Sequence, residues 1–432
     1  MFEQLNFRVN YNSADYSNLV FPERDKALLR GLGRQVAEIA ARPIMDERRK
    51  LWTRHNNLER TRPVFLCDPE NGWNEIIPGS AIQCVNSIAR HWEDYLRKLV
   101  FWGEQMNDDY VVEPVFNLPY VYKDSQWSIA GSDRVVTEKK TAEQGKAYHI
   151  ETVLEDFSQI KDITKPDLRI DYAASDAALG IAHEVFDAAL EVRRNTVWFW
   201  SFGLTDDLVF LRGLERLMFD FIDAPERIHE VMSIIYQGTM ERLDFLELKG
   251  LLCLNNDGTF VGSGGMGFSD ALPAADYAGK ARTKDMWGLA ESQVTIGISP
   301  DMFAEFIFPY QKKIMERFGL TCYGCCEPMD ERFDIVKAAH NLRRVSVSPW
   351  ANRELMADKL GRDYVYSMKP SPSYLALPVI DEDFIRKDLK AALLTTKDNC
   401  LELVMKDNHT LGNNPENIKR WARIAREEIE AL

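Results

Sequence analysis

The feature that most constrains the fold is a regular alternation of short apolar strands and amphipathic helices in the last third of the chain. Four units follow one another, and their strand and helix segments are 319–327 and 329–342, 343–351 and 351–361, 363–372 and 380–396, and 400–410 and 414–432. Strands that alternate with helices of about ten or more residues indicate parallel βαβ units. Short apolar strands are typical of a parallel sheet that is covered on both faces. Further units lie upstream, so the sequence predicts an α/β protein with a (β/α)8 TIM barrel.

The first part of the chain has a different pattern. Residues 1–60 are helical in periodicity and rich in charge, which predicts an N-terminal helical arm. The remaining residues, 61–432, are assigned to the barrel, because a single α/β barrel accommodates a segment of this length. The segment 126–153 suggests a hairpin excursion from the barrel.

Charge and cysteine usage restrict the partners and the compartment. The net charge of −14 argues against a nucleic acid or an anionic membrane as the partner. No run approaches the roughly 18 apolar residues of a membrane span, and the N-terminus lacks the apolar core of a signal peptide. Seven cysteines in a chain of 432 residues are not a disulfide framework. We therefore expect a cytoplasmic protein in a reducing compartment.

Polar side chains that follow the predicted strands are the first candidates for a functional site, because the loops at the carboxyl ends of barrel strands build the active site. These side chains are Cys325, Cys326, Glu327, Ser348, Trp350, Lys369, Ser371, Asp407 and His409.

The adjacent thiols Cys325 and Cys326 are the most distinctive members of this set. Zinc accepts thiolate, imidazole and carboxylate ligands, and a catalytic zinc site uses three of them. We predict Cys325, Cys326 and His409 as metal ligands, with Glu327 as an alternative or additional one. The competing interpretation is that these are buried thiols, since free cysteine is among the most buried residue types.

Three other segments carry weaker signals. Asp108 and Asp109 are either a solvated turn or a pair that contains a general acid and a substrate-binding carboxylate. The glycine run 262–267 matches a dinucleotide-binding pattern, but no good helix follows it, which favours a flexible rim loop. The aromatic run 198–202 is expected in the core, and its last residues could line the mouth of a cavity.

With these residues in hand, the chain resembles the uroporphyrinogen decarboxylase superfamily. The similarity is carried by LRGLERLMFDFIDAPERIHEVM at 211–232, ISPDMFAEFIFPYQKKIMERFG at 298–319, YVYSMKPSPSYL at 364–375 and LGNNPENIKRW at 411–421. The last two segments occupy the places of the family's "GNLDP" and "TP-x-EN" stretches. The resemblance implies a barrel, as the strand and helix pattern does.

The superfamily has two functional branches. Its true decarboxylases bind a tetrapyrrole through arginines in an "R-Q-A-G-R" motif, whereas the matching region here, RPVFLCDPENGW at 62–73, has no such motif. Lys369 also stands in place of the asparagine of "GNLDP". Asp108 or Asp109 falls near the catalytic aspartate of that branch, so a decarboxylase that acts on a porphyrinogen or related acid is the alternative function.

The other branch consists of zinc-dependent methyltransferases that work with corrinoid proteins. They carry H-x-C-G after one strand, and the segment 323–326 stands in that place. Cys325 matches the cysteine, Tyr323 replaces the histidine, and His409 lies where the second cysteine is expected.

The resemblance therefore implies a zinc-dependent methyltransferase or O-demethylase. It would move a methyl group between a small methylated substrate and a corrinoid (methylcobalamin) that a partner protein carries. We expect Asp108, Glu327 and Lys369 to be catalytic. The residues expected to bind substrate are Asp109, Ser292, Tyr323, Trp350 and Ser371. A homodimer is compatible with this interpretation.

Overall fold

The computed structural model describes residues 19–130, 138–140, 148–150 and 152–432. Its strands are β1 Val64–Cys67, β2 Val115–Leu118, β3 Val121–Asp124, β4 Ser128–Ile129, β5 Glu138–Lys140, β6 Tyr148–Ile150, β7 Ile163–Thr164, β8 Leu168–Asp171, β9 Glu191–Arg194, β10 Trp287–Ala290, β11 Leu320–Tyr323, β12 Leu342–Val347, β13 Val365–Met368 and β14 Cys400–Met405. Its α-helices are α1 Glu23–Ala40, α2 Pro43–Asn56, α3 Trp73–Ile76, α4 Ser87–Gln105, α5 Tyr172–Phe186, α6 Thr205–Arg212, α7 Leu214–Asp223, α8 Pro225–Lys249, α9 Pro300–Met302, α10 Phe308–Met315, α11 Phe333–Val336, α12 Arg353–Leu360, α13 Glu382–Thr395 and α14 Glu416–Glu430.

Six strands form a parallel sheet in the order β1-β14-β13-β12-β11-β10. Each of β11 to β14 is followed by a helix, α11 to α14, so the four predicted C-terminal units are confirmed. Strands β1, β10, β11, β13 and β14 are buried along their whole length, as expected for a parallel sheet with both faces covered. The α/β class predicted from the sequence is therefore correct.

The described residues do not form a continuous hydrogen-bonded ladder around a closed barrel. Strands β2 and β9 make a separate parallel pair. Single hydrogen bonds lie at the edges of the large sheet, from the amide of Asp109 to the carbonyl of Phe65 (3.0 Å) and from the amide of Phe202 to the carbonyl of Leu289 (2.7 Å). The chain between β2 and β9 instead forms the antiparallel pairs β3–β8, β4–β7 and β5–β6, and the last of these is the predicted hairpin.

The predicted N-terminal arm is helical where it is described, in α1 and α2. Its apolar side is part of the main core, since Leu29, Val36 and Ile39 are buried there. Lys26 of α1 also pairs with Glu184 of α5 at 2.7 Å. Residues 1–18 of the predicted arm lie outside the described residues. Among the described residues no helix is long and apolar enough to cross a membrane.

The glycine run lies in a buried hairpin, which we call the inner hairpin (residues 256–268). A bridge between Phe260 and Met266 closes it, and both Ser263 and Met266 are buried. A Cβ atom on Gly264, whose φ is +95°, would lie 2.6 Å from Val404 of β14, so only glycine fits there. The prediction of a flexible rim loop is therefore wrong, because the glycines allow the backbone to pack directly against the sheet.

A buried charge cluster joins the arm to the sheet. The Glu402 carboxylate of β14 lies 3.0 Å from Nε of Arg344 on β12 and 3.4 Å from Nε2 of His55 at the end of α2. All three side chains are essentially inaccessible to solvent. Ser367 of β13 donates a hydrogen bond to Glu402. Four separate elements therefore meet at one carboxylate, which we call the Glu402 cluster.

Asn56 connects the Glu402 cluster to the inner hairpin. Its side-chain oxygen accepts a hydrogen bond from Nη2 of Arg344 at 2.7 Å. Its side-chain nitrogen donates to the carbonyls of Met266 (2.8 Å) and Phe268 (2.7 Å). The end of the arm thus holds the inner hairpin in place relative to β12.

We expect Arg344→Met to lower the free energy of unfolding by about 3–5 kcal/mol, because Glu402 would remain buried without its closest cation. The matched control is Arg343→Met on the same strand, where a half-buried side chain donates one hydrogen bond to the Asn56 carbonyl at 2.7 Å. The control should cost about 1 kcal/mol. Urea titration measures both values, and equal losses in the two variants would contradict the role given to Arg344.

The Glu402 cluster also predicts a loss of stability at alkaline pH. Burial alone would lower the pKa of His55, but Cys400 and Glu402 outweigh burial and raise this pKa from 6.5 to about 9. The folded protein therefore keeps the His55 proton to a higher pH than the unfolded chain does. The contribution of His55 to the free energy of unfolding is complete below pH 6.5 and is lost as pH rises through about 9. The midpoint of urea unfolding should fall over this range in the natural protein and fall less in His55→Gln. Parallel curves for the two proteins would refute the assignment.

Candidate functional site at the carboxyl edge of the sheet

The carboxyl edge of the parallel sheet gathers thiols, a lysine and carboxylates. Cys325, Cys326 and Glu327 follow β11, Lys406 and Asp407 follow β14, and Asp68 follows β1. Strand side chains alternate between faces, so Glu402, Val404 and Lys406 lie along one side of β14. That side faces the inner hairpin, since Val404 and Glu402 are both close to its glycines. A single row of side chains thus leads from the Glu402 cluster to the site.

The two thiols lie side by side where the chain turns out of β11. Gly324 has a φ of +92°, which bends the backbone so that neighbouring cysteines can present sulfur atoms on one side. Their Sγ atoms are 3.5 Å apart. Cys325 is buried and Cys326 is half-buried. The sequence prediction that both thiols share one site is consistent with this distance.

Lys406 is the cation of this site. Its Nζ lies 3.1 Å from Oγ of Ser263, 3.6 Å from Sγ of Cys325 and 3.0 Å from Oδ1 of Asp407. Burial by itself would lower the pKa of Lys406, but the negative charge of Cys325 and Asp407 outweighs burial and raises this pKa well above its ordinary value. Lys406 is therefore a buried ammonium that pairs with a sulfur atom and a carboxylate.

The two thiols differ in acidity. The hydrogen bond from Cys326 lowers the pKa of Cys325, and Lys406 lowers it further, against burial and the charges of Glu327 and Asp407. The same hydrogen bond raises the pKa of Cys326, together with burial. Cys325 is thus the more acidic thiol of the pair.

His409 does not join the thiols. It is exposed, and its Nδ1 lies 3.3 Å from Nδ2 of Asn71. Over the described ranges, no three His, Cys, Asp or Glu side chains form a group that could hold a metal ion. The ammonium of Lys406 lies 3.6 Å from the sulfur of Cys325. The predicted set of Cys325, Cys326 and His409 therefore does not fit a zinc ion, because the imidazole is elsewhere and a fixed cation already faces the thiolate.

Glu327 organises the turn that carries the thiols. Its carboxylate accepts hydrogen bonds from the amides of Ser292 (2.8 Å) and Cys325 (2.9 Å), and the side chain is buried. A carboxylate oriented by two backbone donors is a positioning group. The predicted roles of Glu327, metal ligand and catalytic group, are not tested by these contacts and stay predictions.

Asp108 and Asp109 are both fully buried and lie outside the cavity described below. Asp108 accepts hydrogen bonds from the indole of Trp102 and the amides of Cys67 and Tyr110. Asp109 accepts from Arg62, Arg426 and the amide of Phe65. The structure gives these carboxylates the task of holding β1 to neighbouring segments, which departs from the predicted catalytic and substrate-binding roles.

The remaining predicted residues also lie away from the cavity. Ser292 accepts from Arg332 (2.7 Å), and the hydroxyl of buried Tyr323 donates to Gln311 (2.7 Å). Trp350 is 79% exposed, and Ser371 pairs with Ser373 at 2.8 Å. Burial and packing explain these placements, since a position after a strand does not determine where a side chain points.

Lys369 belongs to the Glu402 cluster. It is buried, and its Nζ donates to Oγ and the carbonyl of Ser367. Burial, opposed by Glu402 and reinforced by Lys406, lowers the pKa of Lys369 to about 8. It is not among the residues that line the cavity described below, and its predicted catalytic role stays a prediction, but its charge interacts with Lys406 and Cys325.

A cavity opens beside Lys406. Its lining includes Asp68, Asn195, Cys253, Asn255, Thr259 and Lys406 among polar residues, and Trp198, Phe199, Trp200, Phe260 and Trp287 among aromatic ones. The aromatic run 198–202 was expected in the core with its end at a cavity mouth, and three of its members do line this cavity. Lys406 is the single basic side chain among the described lining residues.

Asp68 supplies an acidic group to the cavity. Burial raises the pKa of Asp68 well above its ordinary value, and the neighbouring charge of Glu70 adds to the effect. Burial likewise raises the pKa of Glu70 to about 7. Sequence reasoning missed Asp68, Ser263 and the role of Lys406. Asp68 and Lys406 directly follow the observed strands β1 and β14, so the rule that selected Cys325 finds them once the strand ends are known.

Comparison with known proteins adds little to these observations. No family model matches the chain, and no curated protein matches it in sequence. Among solved structures, a methyltransferase from Methanosarcina mazei is similar at 13% identity with a TM-score of 0.37. That match covers 60% of this chain and 65% of the methyltransferase chain, so the chain spans less than two thirds of its length.

We expect Glu327→Gln to lower the free energy of unfolding by about 1–3 kcal/mol, because an amide has only one acceptor oxygen for the two backbone donors. Glu331→Gln is the control, since Glu331 is exposed and lies only four positions away. It should change stability by less than about 0.5 kcal/mol. Thermal unfolding of the two variants compares them directly, and an unchanged Glu327→Gln would remove the positioning role.

Proposed function

We propose that this protein is a methyltransferase of the uroporphyrinogen decarboxylase superfamily. It would move a methyl group between a small methylated compound and a corrinoid that a partner protein carries. The observation that carries the proposal is the cavity at the carboxyl edge of the sheet, where Asp68 and Lys406 meet aromatic walls. The superfamily-like segments and the thiol pair at the same edge support it.

The proposal includes the closed (β/α)8 barrel that the resemblance implies. The six-stranded parallel sheet and the separate parallel pair β2–β9 together supply eight strands in the described part of the chain. Asp68, Asn195 and Lys406, which follow β1, β9 and β14, line one cavity, which supports an active site at the carboxyl ends of the strands. The cytoplasmic location and a homodimer stay predictions.

The cavity suits a small, mostly apolar substrate. Trp198, Trp200 and Trp287 offer flat surfaces for a ring or a methyl group. The few polar groups would orient the substrate, as in small-molecule sites generally.

The residues of this chain would act on the group from which methyl departs. As the bond between methyl and oxygen or sulfur breaks, its electron pair stays on the heteroatom. The protonated carboxyl of Asp68 would transfer a proton to that atom, and the ammonium of Lys406 would stabilise its developing negative charge. The corrinoid of the partner protein would receive the methyl group. No step runs through zinc, because the residues do not fit it.

The alternative is a decarboxylase that acts on a porphyrinogen-like acid. Lys406 favours this function because its buried ammonium would bind one carboxylate of the substrate. A poly-acid would need more cations than the described lining provides. Release of carbon dioxide from such an acid, without any methyl transfer, would favour the alternative.

Asp68→Asn should reduce methyl transfer from a methylated compound to reduced cobalamin by about 10²–10⁴-fold, because an amide does not supply the proton. In the natural protein the rate should fall as pH rises through the raised pKa of Asp68, and this decline should be absent in the variant. Formation of methylcobalamin, followed by its visible absorption, measures the rate across a screen of methoxylated and methylated compounds.

The control for this experiment is Asp363→Asn, which removes an exposed carboxylate outside the cavity lining and should leave the rate unchanged. Full activity of Asp68→Asn would overturn the assignment of the acid. A screen in which no compound yields methylcobalamin would overturn the proposed function.

A further inference from the structure

The sulfur atom of Cys325 is surrounded by hydrogen-bond donors. Nζ of Lys406 lies at 3.6 Å and Oγ of Ser263 at 3.4 Å. Sγ of Cys326 lies at 3.5 Å and is itself 3.8 Å from Oδ2 of Asp407, to which it donates. The Ser263 hydroxyl accepts from Lys406 at 3.1 Å, so its own proton is available for the sulfur. Two donors that converge on one atom stabilise its anionic form.

These donors come from separate parts of the fold. Ser263 sits at the tip of the inner hairpin, and Lys406 follows β14. The hairpin reaches the sulfur because its glycines pack directly against the sheet. The same packing encloses the site, since Cys325, Ser263 and Lys406 are all at most 3% exposed.

Other charges near the sulfur have mixed effects. The carboxylates of Glu327 and Asp407 oppose a thiolate at Cys325, and Asp407 in turn holds Lys406 at 3.0 Å. Glu291 and Lys369 also interact electrostatically with Cys325. Glu70 acts on Lys406, where it favours the ammonium form. The ammonium of Lys406 and the hydroxyl of Ser263 both lie within hydrogen-bond distance of the sulfur atom.

We propose that Cys325 is a metal-independent nucleophile, in which the ammonium of Lys406 takes the place of a metal ion as the counter-cation of the thiolate. Its ligands would be small soft electrophiles, such as an alkyl carbon that bears a good leaving group. They would approach from the cavity that Lys406 lines, since the ammonium of Lys406 lies 3.6 Å from the sulfur; Cys325 itself is not among the lining residues. The proposal goes beyond methyl transfer and does not depend on it.

Iodoacetamide is a suitable probe of this chemistry. The thiolate of Cys325 attacks the methylene carbon, a carbon–sulfur bond forms, and iodide leaves with the electron pair of the carbon–iodine bond. No proton is exchanged when the sulfur is already anionic. The product is a stable thioether, which the neighbouring Cys326 does not displace and which peptide fragmentation by mass spectrometry assigns to one cysteine.

In the natural protein the rate of Cys325 alkylation should change less than about threefold between pH 7 and pH 9. An ordinary thiol would speed up by well over tenfold across this range, since its thiolate fraction rises with pH. Cys253 lines the same cavity and reports whether the reagent enters it. Alkylation of Cys253 without alkylation of Cys325, or of neither thiol, would overturn the proposal.

Lys406→Met should slow the alkylation of Cys325 at pH 7 by at least tenfold, whereas Lys406→Arg, which keeps the charge, should retain most of the rate. The alkylation rate of Cys253 serves as the internal reference in each variant. If Lys406→Met fails to fold, Ser263→Ala replaces it and should slow the reaction by a smaller factor. An equal rate in the natural protein and the variants would overturn the role of Lys406.

Elemental analysis of protein purified without chelator provides the second measurement. We expect well under one zinc per chain, and no difference between the natural protein and Cys325→Ser. One zinc per chain that disappears in Cys325→Ser would overturn the proposal. This result would not affect the methyl-transfer screen, so the failure of the inference and the failure of the proposed function are distinguishable.

Discussion

The buried carboxylate of Glu402 is the constraint on which the rest of the structure depends. A charge in a dry interior is stable only when it is paired, and Glu402 finds its partners on three other elements: Arg344 on β12, Ser367 on β13 and His55 at the end of the N-terminal arm. Burial alone would raise the pKa of Glu402, but Arg344 and His55 outweigh it and bring this pKa to about 2. The arm is therefore bound to the sheet by charge as well as by apolar packing.

The position of the inner hairpin follows from the same cluster. Asn56, next to His55, binds both Arg344 and two hairpin carbonyls, so the hairpin lies where the arm and β12 hold it. Its tip then brings Ser263 to within hydrogen-bond distance of Lys406 and Cys325. A contact at the sheet's centre thus determines which donors surround a sulfur atom at its edge.

The electrostatics of the edge explain why a lysine can replace a metal ion beside a thiolate. Both a divalent cation and an ammonium stabilise negative sulfur, but an ammonium also donates hydrogen bonds and brings no demand for further ligands. Ser263 then serves as a further donor, and Asp407 holds the ammonium without displacing the sulfur. The nearby cavity contributes an acid, Asp68, whose proton is retained by burial. Basic and acidic groups therefore stand together at one edge of the sheet.

The amino-acid pattern by itself determined the α/β class, the four C-terminal strand and helix units, the helical arm and the proximity of Cys325 to Cys326, because these depend on local periodicity and on neighbouring positions. Only the tertiary structure decided that the glycine run packs inside, that Asp108 and Asp109 hold β1, and that His409 faces Asn71. It also brought Cys325 into contact with Ser263 and Lys406, which lie 62 and 81 positions away from it along the chain. The physical reason is that the role of a carboxylate or a cation depends on the groups that contact it. Those groups lie on distant segments of the chain, and their distance along the sequence does not indicate which of them will meet.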